Sequence, residues 1–222
     1  MVNKPLSIVV LISGSGSNMQ AIIDYLTREK ISAEIKAVIS NKADALGLQR
    51  AKKAGIVTEV IEHTEFDSRE GFDLAMMQSI DSYQPELIIL AGFMRILTDA
   101  FVEHYTGRLI NIHPSLLPHF KGLNTHQRAI DANHHQHGAS VHFVSNELDG
   151  GPVIAQAAVD VNDDDNAESL RLKVLAQEHI LYPLVTKWFA ERRLTLENNQ
   201  VYFDSKPLQK PVLITSEADT EQ

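Results

Sequence analysis

Asn111 and His113 stand two residues apart in the run NIHPSLLPHF, residues 111–120. In extended backbone, alternate side chains share a face, so both can project into one cleft. An amide donor beside an imidazolium makes a clamp for an oxygen on which negative charge develops. Pro114 and Pro118 restrict the backbone around the pair. A nearby carboxylate would orient the imidazole and favour its charged form. Asp149 is the candidate, because the segment LDGGP at 148–152 permits close approach. The same residues could instead cap a turn and satisfy loop backbone. Residue types alone leave both readings open.

A second candidate is SGSGSN at 13–18, which follows an apolar run. Glycines let backbone approach a ligand, and the start of a following helix offers free N–H groups that suit phosphate. No Gly-Lys-Ser/Thr closes the segment, and Met19 stands where the third glycine of G-x-G-x-x-G would be. A phosphomonoester seat and a simple small-residue turn both fit.

The elements that must position these residues alternate. Continuous apolar runs predict buried strands at 6–12, 33–39, 57–61, 87–91 and 109–112. Helical spacing falls at 19–30 and at 45–54, the latter ending before Gly55. The D-x-x-E pattern from Asp67 to Glu70 has the form of a capping box for a helix over 68–82, and Thr98 caps a helix reaching Tyr105. This alternation predicts an α/β chain with a doubly wound, mostly parallel sheet. Strands at 140–144 and 153–159, a long helix over 167–193 and a terminal hairpin at 194–196 and 201–203 follow. One domain over 1–222 is expected, with an ordered core over about 6–205 and a frayed acidic tail at 216–222.

The bulk numbers narrow the classes. The 222 residues suit one large α/β domain, and 44% hydrophobic with 22% charged residues is a globular composition. The net charge of -9 argues against a general nucleic-acid binder. With no cysteine there is no disulfide or thiolate metal site, which fits a cytoplasmic location. No apolar run is long enough for a membrane span. His134, His135 and His137 fall in what reads as a polar loop, where solvation is the expected state and no metal is expected. The acidic run 160–165 lacks the glycine and terminal glutamate of a calcium loop. Trp188 reads as core, and His119 and His142 are left outside the chemical step.

The stretches NIHPSLLP and HGASVHFVSNELDGGPVI resemble the signature of the folate-dependent formyltransferases. VVLISGSGSNMQAII, SNKADALGLQRA and LAGFMRIL narrow the resemblance to the branch that formylates glycinamide ribonucleotide. It runs from about Ile8 to about Phe189. The resemblance implies a Rossmann-like formyltransferase fold and a direct formyl transfer from 10-formyltetrahydrofolate to the ribonucleotide amine, in purine biosynthesis. It implies that Asn111, His113 and Asp149 are catalytic. It places the ribonucleotide at Gly14, Ser15, Gly16, Ser17, Asn18 and Glu178, with Lys173 near the phosphate. Ser15 stands where some relatives carry Asn. It places the folate at Met94, Arg95, Ile96, Leu97, Ser145, Asn146, Glu147 and Leu148, with Arg69 near its glutamate tail. No metal, nucleic acid or membrane partner is implied, and a monomer or homodimer is expected.

The nearest rival is a formyltetrahydrofolate deformylase with a similar triad, which normally carries an extra N-terminal domain. A transfer-RNA formyltransferase normally adds a C-terminal one, so neither is expected here. A rival of another class is a non-catalytic nucleotide-binding protein on the same fold. Loss of Asn111, His113 or Asp149 would favour it, and all three are present.

Overall fold

The computed structural model describes residues 4–214. The strands are β1 (Leu6–Ile12), β2 (Ala33–Ser40), β3 (Val57–Val60), β4 (Leu87–Leu90), β5 (Leu109–His113), β6 (Gln136–Phe143), β7 (Val153–Asp160), β8 (Leu194–Glu197), β9 (Gln200–Phe203), β10 (Lys206–Pro207) and β11 (Val212–Ile214). The helices are α1 (Ser17–Arg28), α2 (Leu46–Lys53), α3 (Arg69–Ser82), α4 (Asp99–His104), α5 (Thr125–Asp131) and α6 (Ala167–Ala190). The main sheet has the order β11-β7-β6-β5-β4-β1-β2-β3, and β8, β9 and β10 form a separate small sheet.

Strand β1 shows why the sheet has two covered faces. All seven of its residues are buried. Ile8, Val10 and Ile12 point into the cluster with Met19 and Ile22 of α1 and Val174 and Leu181 of α6. Val9 and Leu11 point the other way, against Phe72, Met76 and Ile80 of α3. A strand buried on both sides must be apolar throughout, as LSIVVLI nearly is. Each such side chain contributes about 1.5–3 kcal/mol through burial.

The sheet is parallel from β3 to β5. The chain leaves β1 toward β2 and β3, then returns to place β4 on β1's other side. That reversal opens a crevice beyond the carboxyl ends of β1 and β4, the position where open α/β sheets bind ligands. Strand β6 then pairs antiparallel with β5 and sets His142 opposite Asn111.

Several boundaries differ from the sequence reading. Ser68, not Asp67, caps α3, accepting from Gly71 N at 3.0 Å. The third helical position is then Gly71, so Glu70 cannot complete a capping box. The box occurs instead on α6, between Asn166 and Ser169. Helix α6 stops at Ala190 rather than at 193, because Arg192 turns left-handed with φ 61°. Helix α5 was not foreseen, since it is short and buries only Thr125 and Ala129. His137 lies in β6 and is buried, not in a solvated loop; His134 and His135 precede the strand. The core extends past 205, because β11 joins the main sheet and buries Ile214. The expected tail at 216–222 lies outside the described residues. Trp188 is buried and packs edge-on against Phe203, with ring centroids 4.9 Å apart.

Candidate active site

The carboxyl end of β5 carries Asn111 and His113, and the segment after β6 brings Asp149 to them. His113 Nδ1 lies 3.3 Å from Asp149 Oδ2. His113 Nε2 lies 2.9 Å from the Phe120 carbonyl oxygen. Both ring nitrogens therefore face acceptors, and a doubly protonated ring satisfies both. The Asp149 separation is longer than the ~2.7–2.9 Å of a tight charge-assisted bond. Asp149 itself takes a left-handed φ of 48°, which Asp and Asn tolerate better than other side chains.

His142 completes the group, and sequence reasoning had set it aside. Its Nδ1 lies 2.9 Å from the Phe143 carbonyl, so Nδ1 holds the proton. Nε2 is then an acceptor, and it meets Asn111 Nδ2 at 3.3 Å. This contact fixes which end of the Asn111 amide faces His142 and leaves a second N–H to donate elsewhere. Burial pushes the His142 pKa below its usual value, against the carbonyl bond and the Asp149 charge, which favours the neutral form. Asp149 Oδ1 stands 3.8 Å from His142 Nε2. The signal in the sequence was the alternation of β6, but it required the antiparallel register with β5.

A cavity of about 170 Å³ opens beside this group, with Asn111, His142 and Asp149 in its wall. The remaining wall includes Arg95, Ile96, Leu97, Ser145, Asn146, Glu147 and Leu148, all read from the sequence as folate-binding. Its volume is below the ~300–1,000 Å³ of whole-ligand pockets and suits one ring system rather than a whole folate. Met94 does not line it; that side chain is 67% exposed. Arg69 opens α3 on the exposed surface and is also outside the wall. A contact with Arg69 requires a ligand that extends past the cavity.

The 13–18 loop lies at the end of β1. Gly16 adopts φ +69°, and a Cβ there would sit 2.6 Å from Gly47 Cα, so only glycine fits this turn. No side chain caps α1 and its first turn holds no acidic residue. The positive end of the helix and its N–H groups are therefore open to an anion. Arg50 Nε donates to the Ser15 carbonyl at 3.0 Å and adds a positive charge there. Asn18 Nδ2 donates to Glu178 Oε2 at 2.7 Å, tying α1 to α6. Burial raises the Glu178 pKa, while the Asn18 bond and Arg171 oppose it. The Lys173 ammonium pairs with Asp165 Oδ2 at 2.5 Å. That bond holds the Asp165 pKa down at about 2.

Two connections fix the 13–18 loop and α6 relative to the cavity. Tyr182, one helical turn beyond Glu178 on α6, lies 3.0 Å from the Leu90 carbonyl and 3.1 Å from that of Ile110. Ser13 Oγ donates to Asn41 Oδ1 at 2.6 Å and accepts from Met94 N at 2.8 Å. Ser13 thus links the 13–18 loop to the segment leading into the cavity wall.

Among the described residues, no group of three or more His, Cys, Asp or Glu is arranged to hold a metal ion. None of the described helices is long and apolar enough to cross a membrane.

Comparison with known proteins gives one answer. The family model for formyl transferase matches residues 6–186. The phosphoribosylglycinamide formyltransferase of Escherichia coli is 53% identical over 203 residues, covering 91% of this chain and 96% of the relative. That of Haemophilus influenzae is 48% identical with the same coverage. The solved phosphoribosylglycinamide formyltransferase of Coxiella burnetii superposes with a TM-score of 0.91 at 54% identity, covering 95% of this chain and 99% of that one. On this likeness, the chain belongs to the formyl transferase family, among its phosphoribosylglycinamide formyltransferases.

Proposed function

We propose that this chain transfers the formyl group of 10-formyltetrahydrofolate to the amine of 5-phosphoribosylglycinamide, giving formylglycinamide ribonucleotide and tetrahydrofolate in purine biosynthesis. The observation that supports the mechanism is that His113 Nδ1 stands 3.3 Å from Asp149 Oδ2, while Asp149 and Asn111 line one cavity. The ribonucleotide phosphate sits at the open N-terminus of α1, on Gly16, Ser17 and Asn18, with Gly14 and Ser15 shaping the turn. Glu178 accepts from the ribose hydroxyls. The folate ring enters between 95–97 and 145–148.

The amine nitrogen attacks the formyl carbon, and the carbonyl electron pair moves onto oxygen. Asn111 Nδ2 and the protonated His113 donate to that oxygen, where the charge develops. Collapse of the intermediate breaks the bond from carbon to the folate nitrogen. The amine loses a proton to solvent beside Asp149, and the leaving nitrogen gains one. Asp149 keeps His113 oriented throughout. No covalent enzyme intermediate is required.

A two-substrate assay tests this. The chain is incubated with 10-formyltetrahydrofolate, with and without the ribonucleotide, and folate release is followed. Release only with the ribonucleotide supports transfer. Equal release without it would identify a deformylase, and no release a non-catalytic binder.

A further inference from the structure

We propose that Arg128 is a positioning residue for this reaction: its guanidinium holds the peptide group through which the 120–124 segment grips Asp149. This rests on the formyl-transfer reading and adds a residue to it.

Segment 120–124 holds the catalytic pair through its backbone. Phe120 offers its carbonyl to His113 Nε2, and Gly122 N donates to Asp149 Oδ2 at 2.9 Å. The conformation that achieves this is costly. Phe120, Gly122 and Asn124 all have left-handed φ, at 54°, 79° and 56°. Glycine tolerates that region, but a bulky aromatic does so only when its surroundings impose it.

Arg128, on α5, supplies the constraint. Its Nη1 donates to the Lys121 carbonyl at 2.6 Å and to the Leu123 carbonyl at 3.2 Å. Its guanidinium carbon stands 5.5 Å from the centre of the Phe120 ring. One cationic nitrogen therefore spans the carbonyls on both sides of Gly122. The Lys121 carbonyl and the Gly122 N–H are opposite ends of one peptide group. Drawing the oxygen toward a cation aims the N–H at Asp149 and polarises it, as linked hydrogen bonds do. The chain of contacts runs from Arg128 through this peptide to Asp149 and on to His113.

A second tie competes for the role. Lys121 Nζ pairs with Glu147 Oε1 at 2.7 Å, but the two side chains are 33% and 70% exposed. Exposed pairs of this kind stabilise little. Arg128 also sits at the surface, yet it bonds two fixed carbonyls rather than a mobile carboxylate.

The test is Arg128→Met, with Arg128→Lys as the conservative variant. The Gly122 amide is read by proton–nitrogen NMR without substrate, and kcat and both KM values by the two-substrate assay. The expected result is a kcat lower by about 10- to 100-fold, the scale of a small misplacement of reacting groups. The ribonucleotide KM stays within about twofold, because the seat on α1 is untouched. The Gly122 amide moves upfield, and Arg128→Lys restores part of both losses. Arg193→Met, which breaks the pair with Asp204 beside the small sheet, serves as a control that lowers stability without moving the amide or kcat. If Arg128→Met does not fold, Arg128→Gln is read in the same way. A wild-type kcat, or a lowered kcat with the Gly122 amide unmoved, overturns the proposal. Failure of the formyl-transfer reading shows separately, as absence of product from the wild-type chain.

Discussion

One carboxylate oxygen, Asp149 Oδ2, lies 3.3 Å from His113 Nδ1 and also accepts the Gly122 amide at 2.9 Å. Asp149→Asn isolates the charge. Asn tolerates the left-handed φ of 48° at this position and keeps an oxygen for Gly122, so the backbone is preserved. What is lost is the anion facing His113. The expected outcome is a fall in kcat on the order of 10²–10⁴-fold, with both KM values changed only a few-fold. Steady-state kinetics check this, with circular dichroism as the folding control. Turnover within a few-fold of wild type would remove Asp149 from the chemistry.

Ser13 carries the next prediction. Its hydroxyl donates to Asn41 Oδ1 and accepts from Met94 N, and it is 6% exposed. Ser13→Ala leaves both partners without it in a buried setting. Each such loss costs about 1–3 kcal/mol, part of which is felt as lost stability. The segment after Met94 forms the cavity wall, so the KM for the formyl donor should rise by roughly 3- to 10-fold. The ribonucleotide KM should rise less. A rise confined to the ribonucleotide would show that Ser13 serves only the 13–18 loop.

Much of this was legible before the fold, for definable reasons. Strand β1 and the loop after it read directly from the nearly unbroken apolar run LSIVVLI followed by SGSGSN, because burial on both faces favours such a run. Asn111 and His113 read as a pair because alternation along a strand is local. His142 did not, since its partner Asn111 is 31 positions away and the pairing depends on β6 running antiparallel. The ion pair of Lys173 was hidden for a similar reason: its partner Asp165 is an acidic loop residue eight positions away. Arg128 was invisible because its acceptors are backbone carbonyls, which leave no trace in residue type.

Tyr182 joins helix α6 to two strands at once. Its hydroxyl lies within hydrogen-bonding distance of the Leu90 and Ile110 carbonyls, and the side chain is fully buried. Burial, first of all, and the Glu178 charge push its pKa well above the usual tyrosine value, so it remains a donor. Tyr182→Phe keeps the ring and removes the bond. Urea unfolding should show a loss of about 1–2 kcal/mol. A loss below about 0.5 kcal/mol would mean that the hydroxyl contributes little beyond packing.

His137 predicts a pH dependence of stability. Its side chain is 1% exposed, and it packs against the Phe120 ring with centroids 5.9 Å apart. The Pro114 carbonyl lies nearby, yet neither ring nitrogen has a well-formed hydrogen bond. Burial, with His126, His113 and His134 adding like charge, lowers its pKa from 6.5 to about 4. The unfolded chain therefore binds more protons here than the folded chain between those two values. Stability from this residue is unaffected above pH 6.5, falls as pH drops below it, and levels out below about 4. Carboxylates titrate in the same acid range, so the comparison must be internal. His137→Gln does not titrate, and its melting temperature should decline less than that of wild type between pH 7 and pH 4.5. The gap between the two curves, not either curve alone, is the quantity to read. Parallel curves would mean that His137 gains its proton as readily folded as unfolded, and the burial account of this residue would be wrong.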